Sequence, residues 1–547
     1  LVSPFVSSRG FGREGYGRGG CSREVVRGSA SLTMTGGAAR VRDRSGNPAA
    51  MLWERGVAAD SPTRGFARGT PFCFYLPALG SILYICAPSG IMSKKYSLNT
   101  ATAVVIANMI GTGVFGSLGF QLLGIHDLAS IIILWALGGV IALCGAFAYS
   151  ELGAALPQSG GEYHFLSEIF HPSVGFLSGW VSAIIGFSAP IAMAAFLLGS
   201  YFSNVIPGYD ARYIGAAVIV FITLVQSIDY RIGGGFQSVA TGLKIVLILL
   251  FIICGFTLVN PQPVSFVPGH ATVVSVFSGA FAASLVFVNF AYSGWNASSY
   301  IAGEIKTPTR NIPLSIIAGT LIVTVLYVLL NFIFLYVAPA SEMTGVADVA
   351  FVPAKHIFGE SGGRVISLII SMLLISTISS MIIAGPRVVQ RMGQDFSVFN
   401  IVSHRNKHGI PVVAIWFQSV IALVILFTSS FVTILGYTTF VLTLFATLTV
   451  LGVIVLRLKQ PKLARPYKTF GYPLTPLFFI AANVWFMYFW ITYRNDKGIA
   501  EHVKPTMIGL GVVALGLVVY FVARYFSVEK VVGGDAHVVG GDAKPRK

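Results

Sequence analysis

The chain has 547 residues, of which 55% are hydrophobic and 11% charged, with a mean hydropathy of +0.77. A soluble domain needs about a quarter of its residues charged, so this balance excludes one and points to a chain that crosses a membrane several times. A formal net charge of +16 would point to nucleic acid in a soluble protein, but here the basic residues fall in short loops and one leader, where topology accounts for them.

Residues 1–91 form a leader of different character. It holds Arg9, Arg13, Arg18, Arg23, Arg27, Arg40, Arg42 and Arg44, frequent Gly and Ser, and no lysine before Lys94. No helical or strand periodicity holds across a full window. Met92 stands directly before Ser93-Lys94-Lys95-Tyr96 and the first long apolar run. The leader reads as disordered or upstream sequence with Met92 the natural start; the other reading is an Arg-rich, acid-poor organelle transit peptide. Pro71–Gly90 is uncharged, but it carries three prolines, and spanning would put the Arg-rich leader outside. It is not counted as a span.

The membrane-spanning domain runs over 92–530, with a tail at 531–547. Apolar runs of about 17–25 residues predict twelve helices, at roughly 98–123, 128–154, 173–203, 212–228, 238–259, 272–302, 312–337, 363–389, 411–428, 431–456, 473–493 and 505–526. One set of loops holds Lys94, Lys95, Arg231, Lys306, Arg310, Arg387, Arg391, Arg405, Lys407, Arg457, Lys459, Lys462, Arg465, Lys468, Arg524 and Lys530. The opposite set holds Arg212, Lys355, Arg364, Arg494, Lys497 and Lys504. The richer set is cytoplasmic by the positive-inside rule, which puts both ends of a plasma-membrane protein inside and agrees with an even number of spans.

Two loops carry structure of their own. In Glu151–Pro172, Gly160-Gly161 precedes an amphipathic stretch with Tyr163, Phe165, Leu166, Ile169 and Phe170, which predicts a short helix on the cytoplasmic face. In Ala340–Gly362, Val349, Phe351, Val352, Ile357 and Phe358 predict a second short helix at the external mouth. Loop packing and gating are both open to these two.

Two spans are interrupted. Gly111-Thr112-Gly113-Val114-Phe115 lies inside the first apolar run, and Phe290-Ala291-Tyr292-Ser293-Gly294-Trp295 lies inside the sixth. Glycine lets a backbone leave helical geometry, and non-helical backbone at membrane depth survives only in protein or beside a polar cavity. Breaks at corresponding places in two halves are the sequence pointer to a transporter's binding site.

Four ordered strings carry a resemblance: Ile110-Gly-Thr-Gly-Val-Phe115; Tyr149-Ser-Glu-Leu152 with Pro157-Gln-Ser-Gly-Gly-Glu-Tyr163; Phe290-Ala-Tyr-Ser-Gly-Trp-Asn296; and Glu304-Ile-Lys306 with Arg310-Asn-Ile-Pro313. Together they resemble the amino acid–polyamine–organocation (APC) superfamily, in particular its L-type and bacterial amino acid permeases, over about 98 to 526. The resemblance implies an all-α integral membrane protein with a LeuT-type fold. Helices 1–5 (98–259) and 6–10 (272–456) are then inverted repeats, with helices 11 and 12 (473–526) peripheral. It also implies a secondary active transporter of amino acids working by alternating access. An antiporter of amino acids or polyamines, or a sensor that binds without translocating, shares the same motifs.

An amino acid carries a carboxylate and an ammonium, and burying either unpaired costs several kcal/mol. The N-terminal end of a half-helix offers free N–H groups and a partial positive charge; the C-terminal end of another offers free carbonyls. On both the resemblance and this polarity, the amides near Thr112, Gly113 and Val114 hold the carboxylate. The carbonyls of Phe290, Ala291 and Ser293, with that of Ile110, hold the amine, and Gly294 shapes the second break. Phe290 reads as an external lid, or as a core aromatic. Trp295 and Asn296 line the pocket or satisfy the kink. Ser376, Thr377 and Ser379 put hydroxyls on a cavity or on a helix contact.

Lys244, inside the fifth span, is the clearest intramembrane ion, and such residues mark function by default. The resemblance implies that its ammonium replaces a second sodium ion, contacting helix 1 carbonyls and helix 8 hydroxyls; snorkelling to the cytoplasmic surface is the other reading. Desolvation favours the neutral lysine, so its proton release offers a coupling route and the expected uptake is sodium-independent, proton-coupled or exchange-type. The middles of helices 1, 6 and 8 hold no Asp or Glu, which fits neutral L-amino acids better than cationic ones.

Other classes fit less well. None of the nine histidines sits mid-span or forms a metal or triad spacing, so an enzyme is not expected, nor a metal or other cofactor. The five cysteines (Cys21, Cys73, Cys86, Cys144, Cys254) have no zinc, redox or disulfide pattern. No charge ring or repeated filter indicates a channel, and no Walker motif indicates ATP-driven transport. The loop Asn204–Ala211 has no cysteine for a disulfide-linked subunit, so no obligatory protein partner is implied. The expected partners are an amino acid, the lipid bilayer and protons.

Overall fold

The computed structural model describes residues 96–228, 231–406, 410–494 and 503–533, together with four strands in the leader. Lys94, Lys95, Lys407, Lys497 and 534–547, used above for sidedness and the tail, lie outside the described residues. The chain divides into two compact units, Leu1–Lys94 and Lys95–Lys547. In the first, β1 (Ala30–Thr35), β2 (Ala38–Asp43), β3 (Cys73–Ala78) and β4 (Ser81–Cys86) form an antiparallel sheet in the order β1-β2-β4-β3. Its strands pair β1 with β2 and β3 with β4, each of six residues, too short for a pattern across a full window to reveal. Pro71–Gly90, not counted as a span, contains the second of these pairs.

The second unit is all helical. α1 (Leu98–Met109), α2 (Thr112–Gly116) and α3 (Leu118–Gln121) make up the first interrupted run. α4 (Leu128–Ala155) follows, then the short α5 (Glu162–Ile169) in the loop expected to hold one. α6 (Pro172–Val181) continues through a π-helical turn, Ser182–Gly186, into α7 (Ser188–Ser203) as one bent span. α8 (Ala211–Ile228) and α9 (Arg231–Leu258) close the first half.

The second half opens with α10 (His270–Val276) and α11 (Gly279–Tyr292), bent by 68° at Phe277–Ser278, then α12 (Ala297–Tyr300) beyond the break. α13 (Pro308–Val337), α14 (Ala340–Met343) and α15 (Phe351–Asp395) come next. The short external helix expected before 363 is the first part of α15, set off at Gly359, whose φ is 74°. α16 (Asn400–Ser403), α17 (Val412–Thr428), α18 (Phe431–Lys459), α19 (Leu474–Thr492) and α20 (Val503–Gly533) complete the chain.

Each of the twelve expected extents thus coincides with helix. Among the described residues ten helices are long and apolar enough to cross a membrane, the bent α10–α11 pair would be an eleventh, and α17 is apolar but has 17 residues. Outward faces are as apolar as the interior: Phe221, Val246, Leu250, Val518 and Phe521 are all exposed. Such surfaces are stable in lipid, where backbone groups must be satisfied within each helix. The chain is a multi-pass membrane protein.

In the interior α13 packs along α1 and α4, α15 along α7 and α9, and α11 against α2 and α4. Both interrupted helices therefore lie in the middle of the bundle, walled by α4, α9, α13 and α15. The α5 end of the bundle gathers Tyr96, α12, Glu304 and the basic end of α18; the α14 end gathers α3, Asn204 and Asp348.

Candidate substrate site

The first break begins where α1 ends. Ile110 still closes a helical bond, its N–H donating to the Ile106 carbonyl at 2.9 Å, but its ψ of 97° turns the chain out of the helix. Gly111 then precedes α2 without a side chain to cap it, so the first amides of α2, at Thr112, Gly113 and Val114, form the free N–H end expected for a carboxylate. All three residues are buried.

The second break lies beside it. α11 ends at Tyr292, and Ser293 donates both its N–H (3.0 Å) and its Oγ (2.6 Å) to the Phe290 carbonyl. Gly294 has φ 97°, and a Cβ there would stand 2.9 Å from the Asn108 carbonyl oxygen. A Cβ on Gly113 would stand 2.3 Å from the Cα of Ala291. The two breaks touch at Gly113 and Ala291, a contact that only glycine at 113 permits, and glycine at 294 leaves room for the end of α1. No spacing in the sequence states this contact; it follows from packing α11 against α2.

The carbonyls expected to receive an amine are not equivalent. Both lone pairs of the Phe290 oxygen go to Ser293. The Ile110 oxygen accepts from Lys244 Nζ at 3.1 Å, and the Ala291 oxygen lies 3.2 Å from the Tyr327 hydroxyl, so each keeps a lone pair. Tyr327, fully buried on α13, also reaches the Met109 carbonyl, so one hydroxyl joins the C-terminal ends of both first half-helices. Sequence reasoning missed it. A tyrosine in the middle of a Val/Leu span, with a polar tip that must find a partner, is the signal that was available.

Lys244 is 1% exposed and does not snorkel. Its Nζ donates to Ile110 O and, at 2.8 Å, to Thr377 Oγ1, bridging the first break to α15. A Cβ on Gly111 would stand 3.4 Å from Thr377 Cγ2, so α15 meets the break directly. Ser376 is buried on the same turn, whereas Ser379 faces α8 and accepts from Gln226 Nε2 at 2.8 Å. Of the three hydroxyls, Thr377 meets the ammonium and Ser379 serves helix packing.

Phe290 is 5% exposed at the break. An aromatic layer stands one turn away, toward the α14 end: Phe120 stacks on Phe287 (5.9 Å between centroids) and on Phe431 (5.6 Å), joining α3, α11 and α18. Trp295 turns away from the break onto Tyr149, edge to face at 4.6 Å. Asn296 also turns away, donating Nδ2 to Glu162 Oε1 at 3.0 Å.

At the α5 end, Glu151 is 1% exposed and takes a forked contact from Arg457 (2.9 and 2.6 Å), the Thr469 N–H and hydroxyl (2.7 and 2.6 Å), and Arg465 Nε at 3.3 Å. This charge is fully paired and ties α4 to α18 and the chain beyond it. Among the described residues no three His, Cys, Asp or Glu side chains converge to hold a metal.

Comparison with known proteins places this geometry. A family model described as amino acid permease matches residues 96–519, the helical unit almost end to end. The chain is 28% identical over 386 residues to mouse b(0,+)-type amino acid transporter 1, covering 69% of this chain and 79% of that protein. It is 28% identical over 407 residues to the serine/threonine exchanger SteT of Bacillus subtilis, covering 72% and 90%. It is 25% identical over 448 residues to mouse large neutral amino acids transporter small subunit 2, covering 80% and 82%. Two broken helices meeting where Gly113 rests on Ala291, inside a bundle whose sequence follows this family along its length, make the assignment: the chain belongs to the amino acid permease family of the APC superfamily, and it is a transporter rather than an enzyme.

Proposed function

We propose that the protein carries neutral L-amino acids across the plasma membrane by alternating access, sodium-independently and in proton-coupled or exchange mode. The observation that carries this reading is the meeting of the two breaks. The free N–H end at Thr112–Val114 and carbonyls of Ile110 and Ala291 with a spare lone pair stand on touching backbones. That arrangement suits the two charges common to every amino acid and says nothing yet of its side chain. Neutral side chains fit best because the residues around the breaks are Val114, Phe115, Phe290, Ala291 and Tyr292, all buried, with no carboxylate among them.

Lys244 supports sodium independence. Its ammonium already bonds to the carbonyl and hydroxyl that a cation beside the first break would need. Exchange is favoured by one relative's name, serine/threonine exchanger. The concentration of Arg and Lys at the α5 end, with Lys306, Arg310, Arg387, Arg391 and Arg457, supports placing that end and both termini in the cytoplasm.

The test is counterflow of labelled amino acids into proteoliposomes in sodium-free buffer, preceded by thermal shift across a panel of amino acids, since a ligand of the folded state raises its melting temperature. Accumulation of a neutral amino acid without sodium is expected. Uptake that requires sodium, or a panel in which only cationic amino acids stabilise, would overturn the reading. Thermal stabilisation without counterflow would favour a sensor.

A further inference from the structure

Glu162 is a buried carboxyl that the substrate site does not use. It is 4% exposed, and its Oε1 accepts from the Tyr149 hydroxyl of α4 at 2.6 Å and from Asn296 Nδ2 at 3.0 Å. Ser178 of α6, 1% exposed, lies beside it, its hydroxyl without a settled hydrogen bond. That hydroxyl can donate to a carboxylate or accept from a carboxylic acid, so both charge states have a partner. Asn296 follows the second break directly, so this acid is one hydrogen bond from the segment that must move if the α5 side is to open.

Among the described residues its surroundings hold no counter-ion. Tyr300, beyond the break, is the other titratable neighbour, and burial holds the neighbouring His164 imidazole low. The cations of α18, on the other side of α5, are committed elsewhere: Arg457 to Glu151 and Lys459 to the Ile169 carbonyl, while Arg391 of α15 pairs with Asp395. Burial without a cation pushes the Glu162 carboxyl up from its ordinary 4.5 to about 7, against the pull of its donors.

The acid is held there by a docked loop. Gly160 (φ 127°) and Gly161 (φ 54°) turn the chain into α5, the Gly160 N–H donates to the Tyr300 carbonyl at 3.3 Å, and the Gly303 N–H donates to Ser159 Oγ at 2.9 Å. These two bonds join the loop to the chain beyond the break, while α5 itself is seated by buried Phe165, Leu166 and Ile169 and by the Tyr163 hydroxyl, which donates to Asp395 at 2.6 Å.

We infer that Glu162 is a proton-binding site that controls docking of α5 on the second break: protonated, it stays buried against Asn296; ionised, it draws in water and releases the α5 side. The proton comes from and returns to the water at that end. This rests on the transporter reading given above. Docked, the carboxyl keeps its proton up to about pH 7, whereas a hydrated carboxyl releases it near 4.5. Docking between those values takes up a proton, so acid favours the docked state and the preference fades as pH rises through 7.

The test uses the full-length protein in two measurements. Hydrogen–deuterium exchange of the 293–305 segment is followed from about pH 5.5 to 8.5, corrected for intrinsic amide rates. Counterflow of labelled L-serine and L-leucine is measured over the same range with equal pH on both sides. In the wild type, protection should fall about three- to tenfold as pH rises, and turnover should change over the same interval. Glu162→Gln, permanently neutral, should hold the protected state at every pH and flatten both profiles. Tyr149→Phe removes a donor to the carboxylate and should move the midpoint upward by about half to one pH unit; it decides the matter alone if Glu162→Gln does not fold. A pH response that survives in Glu162→Gln, or that vanishes in Lys244→Met instead, overturns the assignment, as does an unmoved midpoint in Tyr149→Phe. Exchange that titrates as expected without counterflow of any amino acid would leave the proton site standing and remove the transport reading.

Discussion

The two breaks occupy corresponding places, yet they are held in opposite ways. The first is held by a cation: Lys244 from α9 fixes the Ile110 carbonyl to Thr377 of α15. The second is held from the α5 side by an acid: Glu162 receives Asn296 just past Gly294. Lys244 bonds a carbonyl and a hydroxyl between two packed spans, while Glu162 sits on the short α5, outside the spans, and is bonded by an amide and a phenol there. The difference teaches that repeated backbone geometry does not impose repeated chemistry. One break is braced, and the other is conditional.

The comparison can be broken most severely where the breaks touch. Gly113→Ala would force a methyl to within 2.3 Å of the Ala291 Cα, backbone that cannot step aside. Counterflow should fall by about a hundredfold or more, corresponding to about 3 kcal/mol of overpacking. Counterflow within a factor of two of wild type would mean that the breaks do not need this contact.

Lys244→Met sharpens the cation side. The replacement keeps volume and apolar stem but removes the ammonium, and a buried charge contributes little net stability. Transport should fall about tenfold to a hundredfold, with a melting temperature within a few degrees of wild type. A large drop in melting temperature with intact transport would make Lys244 a structural brace only.

Tyr327→Phe tests the element shared by both breaks. Losing the hydroxyl leaves the Met109 and Ala291 carbonyls without that donor, at about 1–2 kcal/mol. A melting temperature lower by a few degrees and a raised KM are expected, read by thermal shift and by uptake against substrate concentration. At the small end, Arg387→Gln removes an exposed ion pair to Glu304 at 3.3 Å, both partners more than 40% exposed. Stability should move by less than about 0.5 kcal/mol and counterflow not at all; a clear effect would give the α5 end an ionic lock beyond Glu162.

Reading the residues alone went furthest where one local property decides the outcome. Apolar runs longer than a bilayer thickness specify spans, because a backbone in lipid must satisfy itself as helix. Glycines inside such runs marked both breaks, and a lone lysine in the fifth span marked the cation. Partner choice was a different matter. Lys244 to Thr377 crosses 133 positions, Asn296 to Glu162 crosses 134, and Tyr327 to Met109 crosses 218. Asn296, read as lining the pocket or satisfying the kink, donates to the acid of α5, a partner its own neighbourhood in the sequence does not name.

By itself, then, the sequence determined a multi-spanning membrane protein with two broken helices, because hydrophobic length and glycine position act residue by residue, and its four ordered strings carried the resemblance to amino acid permeases. Only the tertiary structure decided which carbonyls remain free, that Gly113 rests on Ala291, and that Glu162 is buried without a cation. Those are properties of the space between helices. They depend on which side chains meet there and on how much water is excluded, and no spacing along the chain records either.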